Sequence, residues 1–140
     1  MSVLPEVELG FHAEGASGWS MIHASVKEAL SETYEASLVL AAPLSLTSPD
    51  SLVGKRAVYT VTRGFYERLL KGVVRRIEDL GSTATHRYVR AVIVPALWTL
   101  SQRHDSRIFQ DVPVVDIIRE VLRVAGVYQG EGELVIPGGL

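Results

Sequence analysis

Apolar and polar residues alternate along most of the N-terminal part of the chain, and this alternation predicts β-strands. In the segment Val7–His12 the apolar side chains occupy every second position, as they do in a strand with one buried face. Pro95 lacks a backbone N–H, so we expect the last of the long strands to bulge or become an edge there. Further strands are predicted at 19–26, 34–40, 55–62, 69–80 and 86–98, with a hairpin turn at 81–85.

A different periodicity towards the C-terminal end predicts one amphipathic helix. From Val114 to Ala125 the apolar residues recur at i, i+3, i+4 and i+7. Pro113 suits the first helical position, and Gly126 supplies the stop. A short apolar strand at 134–136 follows the helix.

Together these elements predict a mainly β fold with one late α-helix. We expect a small barrel or sandwich of about seven strands that is incomplete at the C-terminus. The predicted domains are an N-terminal β-barrel over 1–111, followed over 112–140 by the helix and the start of a truncated segment. Leu52 and Val53, followed by Gly54, indicate a single helical turn ended by glycine.

The composition excludes several kinds of site. The 140 residues include no cysteine, which rules out disulfides, thiolate metal ligands and a cysteine nucleophile. A formal net charge of −2 argues against nucleic-acid binding driven by charge alone. No apolar run reaches the roughly 20 residues of a membrane-spanning helix, and the N-terminus does not have the pattern of a signal peptide. We therefore predict no cofactor, no nucleic-acid partner and no membrane span.

The cluster most suggestive of catalysis is Ser101, His104 and Asp105, with Asp111 close by in sequence. A catalytic triad is defined by geometry rather than by proximity in sequence, and no G-x-S-x-G elbow accompanies this one. A polar connector is the simpler interpretation, and a small hydrolase using the first three residues is kept as the alternative. The histidines lack the close spacing of zinc ligands, so no metal site is predicted.

Arginines are concentrated on the predicted hairpin, and two interpretations are open. They can form a surface for an anionic partner, protein or nucleic acid, or they can be solvent-facing positions that discourage edge-to-edge aggregation. Glu78 and Asp79 lie nearby and favour the second interpretation. The arginines concerned are Arg75, Arg76, Arg87 and Arg90.

The residues after the last long strand carry a more specific signal. Pro95–Trp98, Asp105–Gln110 and Asp116–Ile118 follow one another in an order that resembles the N-terminal, phage-tail-hub-like region of VgrG-type spike proteins of the bacterial type VI secretion system. Earlier in the chain, Leu52–Lys55 and Arg68–Val74 resemble the same family. The match runs from about Val7 to Val127, and 107–110 is its most distinctive piece.

The resemblance implies a non-enzymatic structural part of a contractile injection machine, which links the spike to the tail tube. Such proteins are homotrimers at full length, seat on the tail-tube protein Hcp, and in some cases carry effectors through downstream regions. They assemble in the cytoplasm and are secreted by the contractile apparatus without a signal peptide. The alternative within the same fold is the tail hub of a contractile phage or of an extracellular injection device.

The resemblance also implies structural rather than chemical roles for a set of motif residues. Beside it, strand alternation predicts that Phe109 and Ile108 face opposite sides. The guanidinium of Arg107 can pair with Asp105 or Asp111, or donate hydrogen bonds to exposed backbone carbonyls. Trp98 is expected to anchor the core. The motif residues are Gly54, Gly72, Trp98, Arg107, Phe109 and Gln110.

Overall fold

The structure, a computed structural model, describes residues 6–45 and 48–127. Short 3-10 helices span Pro49–Leu52 and Ala96–Gln102, and one α-helix, α1, spans Val114–Val124. The prediction of a mainly β fold with one late α-helix is therefore confirmed. The strands are β1 (Val7–Ala13), β2 (Ser20–Lys27), β3 (Glu35–Pro43), β4 (Arg56–Arg63), β5 (Tyr66–Ser82) and β6 (His86–Val94).

The strands form one antiparallel, curled sheet in the order β1-β4-β5-β6-β3-β2. This order makes β1 and β2 the outermost strands, although they follow each other in the chain. Between Met21 and His23 the register of β2 shifts, so that Ile22 is an extra residue in a bulge. The predicted seventh strand at 134–136 lies outside the described residues.

The core lies on one face of this sheet, where alternate residues of neighbouring strands meet. Leu38 and Leu40 of β3 are fully buried, and across the ladder they face Ala91 and Val89 of β6, which are also fully buried. On the other half of the sheet Tyr59 is the largest of the fully buried side chains among the described residues. The period-two burial follows directly from the alternation in the sequence.

The long strand β5 joins the two halves of the sheet. Its residues 66–73 pair with β4, and its residues 73–82 pair with β6. Register shifts at Arg75 and Leu80 mark bulges in the second half. Bulges increase the local twist of a strand, so they help β5 to change partners within one curled sheet.

At Gly72 the approach of β5 to its neighbours leaves no room for a side chain. A Cβ built there would lie 2.4 Å from the carbonyl oxygen of Val94 and 2.7 Å from the Ile93 Cγ2 atom. The Tyr34 hydroxyl would lie at 2.7 Å from it as well. The closest of these atoms belongs to the backbone of Val94, which cannot move away by a change of side-chain rotamer. Only glycine therefore fits at this position.

Some boundaries differ from those that the sequence predicts. The last strand ends at Val94 rather than reaching Trp98, because Pro95 cannot donate to the ladder and a 3-10 helix begins directly after it. Trp98 consequently lies on that helix and is half-buried, outside the core cluster of the sheet. Pro113 is the N-cap of α1 rather than its first helical residue. The strand β5 begins at Tyr66, earlier than expected.

The chain divides into two compact units, Met1–Pro95 and Ala96–Leu140. Within the second unit no residue of α1 is buried. The helix ends as predicted, with Gly126 in the left-handed region at φ 69° and the N–H of Val127 donating to the carbonyl of Leu122. A domain boundary between residues 111 and 112 stays a prediction.

We expect Gly72→Ala to lower the free energy of unfolding by about 1–3 kcal/mol, because the added methyl group forces the Val94 backbone away from β5. Urea denaturation followed by circular dichroism measures the change. Ser25→Ala, at an exposed position of β2, is the control and should stay within about 0.5 kcal/mol of the parent. Equal midpoints for the two variants would contradict the packing argument.

Candidate assembly surface

One end of the curled sheet opens into an apolar cavity of about 390 Å³. At its rim Val7 pairs with Arg63, which in turn pairs with Tyr66. Since each of these residues lies two or four positions from a cavity-lining residue of its own strand, the rim continues the inner face of the sheet outward. The cavity is lined by Val7, Leu9, Ile22, His23, Ala24, Val26, Val61, Arg68 and Leu70.

Large apolar side chains are exposed around this end of the barrel. Phe65 and Tyr66, at the β4–β5 turn, are 107% and 86% exposed. On β1 and β2 the side chains of Val7 and Ile22 are each about half exposed. Clustered apolar exposure of this kind is typical of surfaces that another protein covers. We call these four residues the barrel-end patch.

Near the cavity lies a group of polar side chains that extends from the buried Tyr59 to the exposed pair of Arg68 and Glu28. The Tyr59 hydroxyl is buried and has no hydrogen-bond partner. Burial raises the pKa of Tyr59, the nearby Tyr34 raises it further, and Arg68 partly opposes both effects. Burial also raises the pKa of Tyr34, with a smaller contribution from Glu28. The guanidinium of Arg68 donates to the Glu28 carboxylate.

The second unit carries an apolar surface of its own. Val114 at the start of α1 is 69% exposed, and Ile118 one turn later is 39% exposed. Ile108 and Val112, in the segment before the helix, are 90% and 42% exposed. The apolar stripe of α1 is therefore exposed at Val114 and Ile118, whereas its other members are half-buried.

Next to α1 the second unit has a groove of about 380 Å³, and Arg107 and Phe109 of the distinctive sequence motif are among the residues that line it. Arg107 Nε donates to the Asp105 carboxylate at 2.7 Å, which is one of the alternatives expected for it. Phe109 lines the groove and is half-buried, whereas its neighbour Ile108 points to solvent, as the alternation predicts. Arg103 Nη1 donates to the carbonyl of Val124 at 3.2 Å and so caps the C-terminus of the helix.

The remaining motif residues do not lie together in one site, and they differ in their surroundings. Gly54 has a φ of 80°, which favours glycine, and its N–H donates to the Val74 carbonyl at 2.8 Å. Gln110 is exposed. The structural roles implied for this set of residues stay a prediction.

The candidate hydrolase residues are engaged with other groups. Ser101 Oγ donates to the carbonyl of Trp98 at 2.7 Å, and the carboxylate of Asp105 accepts from Arg107. Over residues 6–45 and 48–127, no hydrogen bond joins His104 to either of them. The arrangement stabilises a connector and a 3-10 helix, and it does not place a nucleophile beside a base.

Two of the four hairpin arginines are held by glutamates. Arg90 Nη1 contacts the Glu78 carboxylate at 2.8 Å across the β5–β6 ladder, and Arg75 Nη1 contacts the Glu35 carboxylate at 3.2 Å. These pairings favour solvent-facing strand positions over an anion-binding surface.

The sequence patterns did not single out the barrel-end patch. Two aromatic residues at a turn, Phe65 and Tyr66 after Gly64, were a readable signal, because turns are normally polar. The exposure of Ile22 had no such signal, since it depends on where the bulge in β2 falls.

In the described part of the chain no helix is long and apolar enough to cross a membrane.

Known proteins resemble this chain over most of its length. Residues 27–132 match the family model of the phage tail baseplate hub (GPD). The chain is 34% identical over 89 residues to the type VI secretion system spike protein VgrG3 of Vibrio cholerae. It is 33% identical over 89 residues to the actin cross-linking toxin VgrG1 of Vibrio cholerae. Each match covers 63% of this chain but only 9% and 8% of the two relatives.

A solved structure shares the fold. It is the E. coli c3393 protein, described as a component of the type VI secretion system with structural similarity to T4 bacteriophage tail proteins gp27 and gp5. The TM-score is 0.69 over 81% of this chain and 31% of that protein, at 18% sequence identity. At this identity the likeness establishes the fold alone.

We expect Tyr59→Phe to raise the free energy of unfolding at neutral pH by about 1 kcal/mol, because it removes a buried hydroxyl without a partner. The variant should also be less sensitive to alkali. The raised pKa means that folded Tyr59 keeps its proton where the unfolded chain loses it, so stability present below pH 10 is lost as pH rises further. Unfolding titrations at pH 7 and above pH 10 measure both effects. A variant less stable at pH 7 would indicate a partner for the hydroxyl.

Proposed function

Because the chain belongs to the phage tail baseplate hub (GPD) family, we propose that it is a structural module at the base of a spike, linking that spike to a tail tube by protein–protein contacts. The observation that carries the proposal is the barrel-end patch, in which Phe65 and Tyr66 are exposed beside an open apolar cavity. Covering such a surface removes apolar area from water, which is the main driving force of stable association.

The module acts by binding and not by turnover. Its candidate catalytic groups stabilise local structure, with Ser101 and Asp105 committed to a backbone carbonyl and to an arginine. Activities in the names of relatives belong to proteins more than ten times as long as the matched segment. A hub needs rigid, complementary surfaces, and a six-stranded antiparallel sheet supplies them.

The machine is a type VI secretion apparatus, in which the full-length protein is a homotrimer, seats on the tail-tube protein Hcp and carries effectors through other regions. Assembly takes place in the cytoplasm, and the contractile apparatus then secretes the spike. The spike-protein relative supports this assignment. The phage hub family supports a second candidate, the tail hub of a contractile phage or extracellular injection device. Neighbouring genes for a secretion sheath or for a prophage distinguish the two.

We expect the chain to form a complex with the tail-tube protein encoded in the same genome, detected by light scattering after size exclusion. Phe65→Ser with Tyr66→Ser should weaken the complex at least tenfold, since buried aromatic residues dominate such interfaces. Leu44→Ser is the matched control, because Leu44 is also exposed but follows β3 at the other end of the sheet. If no complex forms with each protein at about 100 µM, any affinity is weaker than that of a typical transient pair, and the proposed tube contact is contradicted.

We expect no esterase or peptidase activity from the unaltered chain in a panel of chromogenic substrates, because no hydrogen bond prepares Ser101 as a nucleophile. The His104→Ala variant is the control, because it shows whether any hydrolysis that is detected depends on His104. Activity that disappears in this variant would overturn the non-catalytic assignment and favour the hydrolase alternative.

A further inference from the structure

The first half of β5 has a ladder partner on one side only. Residues 66–72 pair with β4, whereas the pairing with β6 begins at Val73. The carbonyl of Lys71 accepts a hydrogen bond from the Tyr34 hydroxyl, so it points away from β4. In an antiparallel ladder alternate residues point to the same side, and Glu67 and Leu69 therefore present their N–H and C=O groups at this edge as well.

A segment of the same chain lies along that edge and is held there by side chains. Glu28 pairs with Arg68, the Tyr34 hydroxyl binds the carbonyl of Lys71, and Glu35 pairs with Arg75 at 3.2 Å. Residues 28–35 connect β2 to the first residue of β3. We call them the edge strap. Both ion pairs are solvent-exposed, and exposed pairs hold weakly, so the strap can be displaced without unfolding the sheet.

The edge beneath the strap is complementary to a second copy of itself. If two copies pair antiparallel about Leu69, each Glu67 lies opposite the partner's Lys71, and the two Leu69 side chains meet at the centre. Opposite charges and apolar pairs facing each other across strands stabilise such a ladder. Leu69 is 50% exposed and thus available for the contact. Two-fold pairing of this kind is self-complementary and closes on itself.

We propose that the edge strap is an autoinhibitory guard that keeps the first half of β5 from pairing with the same edge of a second copy. While Tyr34 occupies the carbonyl of Lys71, that carbonyl cannot accept from an incoming strand. Displacing the strap frees the edge, and two chains then pair about Leu69. The guard acts on the free chain, so it is independent of any contact with a tail tube.

The absence of cysteine allows a direct test with one engineered thiol. Leu69→Cys places two sulfurs on the proposed two-fold axis, where paired strands bring Cα atoms within disulfide range. The reporter is placed in the parent chain and in a strap-weakened chain carrying Glu28→Gln, Tyr34→Phe and Glu35→Gln. Disulfide dimers, measured on non-reducing gels, should form roughly tenfold faster in the strap-weakened chain.

Two controls separate edge pairing from other causes of association. Ser25→Cys, on exposed β2, should cross-link at the same rate in both backgrounds. A Glu78→Gln and Asp116→Asn chain loses two exposed ion pairs elsewhere and should leave the Leu69→Cys rate unchanged. If the triple variant does not fold by circular dichroism, Glu28→Gln with Glu35→Gln alone should accelerate the dimer roughly threefold.

Charge variants in the strap-weakened chain identify the pairing register. Lys71→Glu sets like charges opposite each other and should abolish the faster cross-linking, and adding Glu67→Lys should restore it. Equal rates in the parent and strap-weakened chains, or no response to Lys71→Glu, would overturn the proposal. Binding of the parent chain to a tail tube is unaffected by either result, so the two ideas fail separately.

Discussion

The absence of a side chain at Gly72 is the constraint from which the arrangement of the sheet follows. Where β5 leaves β4 and takes up β6, the backbone of Val94 comes so close that a methyl group cannot be accommodated. Because β5 pairs with a different neighbour on each side of this point, the two halves of the sheet are offset along it. The offset buries Tyr59 and Leu70 on one half beside Ile93 on the other.

The same offset leaves parts of the sheet without neighbours. The first half of β5 pairs with β4 on one side and has no strand of the described chain on the other, and the inner face beyond Leu9 and Val61 ends in an open cavity. In the described chain one of these openings is covered by side chains and the other is not. Side chains from the β2–β3 connection cover the edge of β5, whereas Phe65 and Tyr66 are left bare at the cavity rim. The edge of β5 is thus covered by polar side chains, whereas the cavity rim keeps two exposed aromatic residues that are available for binding.

Strand positions and the late helix could be predicted from the sequence because each depends on a local pattern. The alternation over Val7–His12 and the helical period of α1 require no knowledge of distant residues, and the family resemblance read from the later motif is confirmed. The end of β6 was misjudged because the effect of Pro95 competes with an apolar run that continues to Trp98. The partner change in β5 and the contact of Tyr34 with Lys71 join residues far apart in sequence, so no local pattern contains them.

The exposed apolar residues of α1 have a thermodynamic consequence. A helix of 11 residues is shorter than the roughly 12–15 needed for marginal stability in water, and here no residue of it is buried. Within its own unit the helix is stabilised by the Arg103 cap and by the groove that Phe109 lines. Any protein that binds only the helical form adds stability in proportion to the logarithm of its free concentration. Binding of such a protein would therefore raise the melting temperature of residues 114–124, and the size of the rise would report how much of the helix surface it covers.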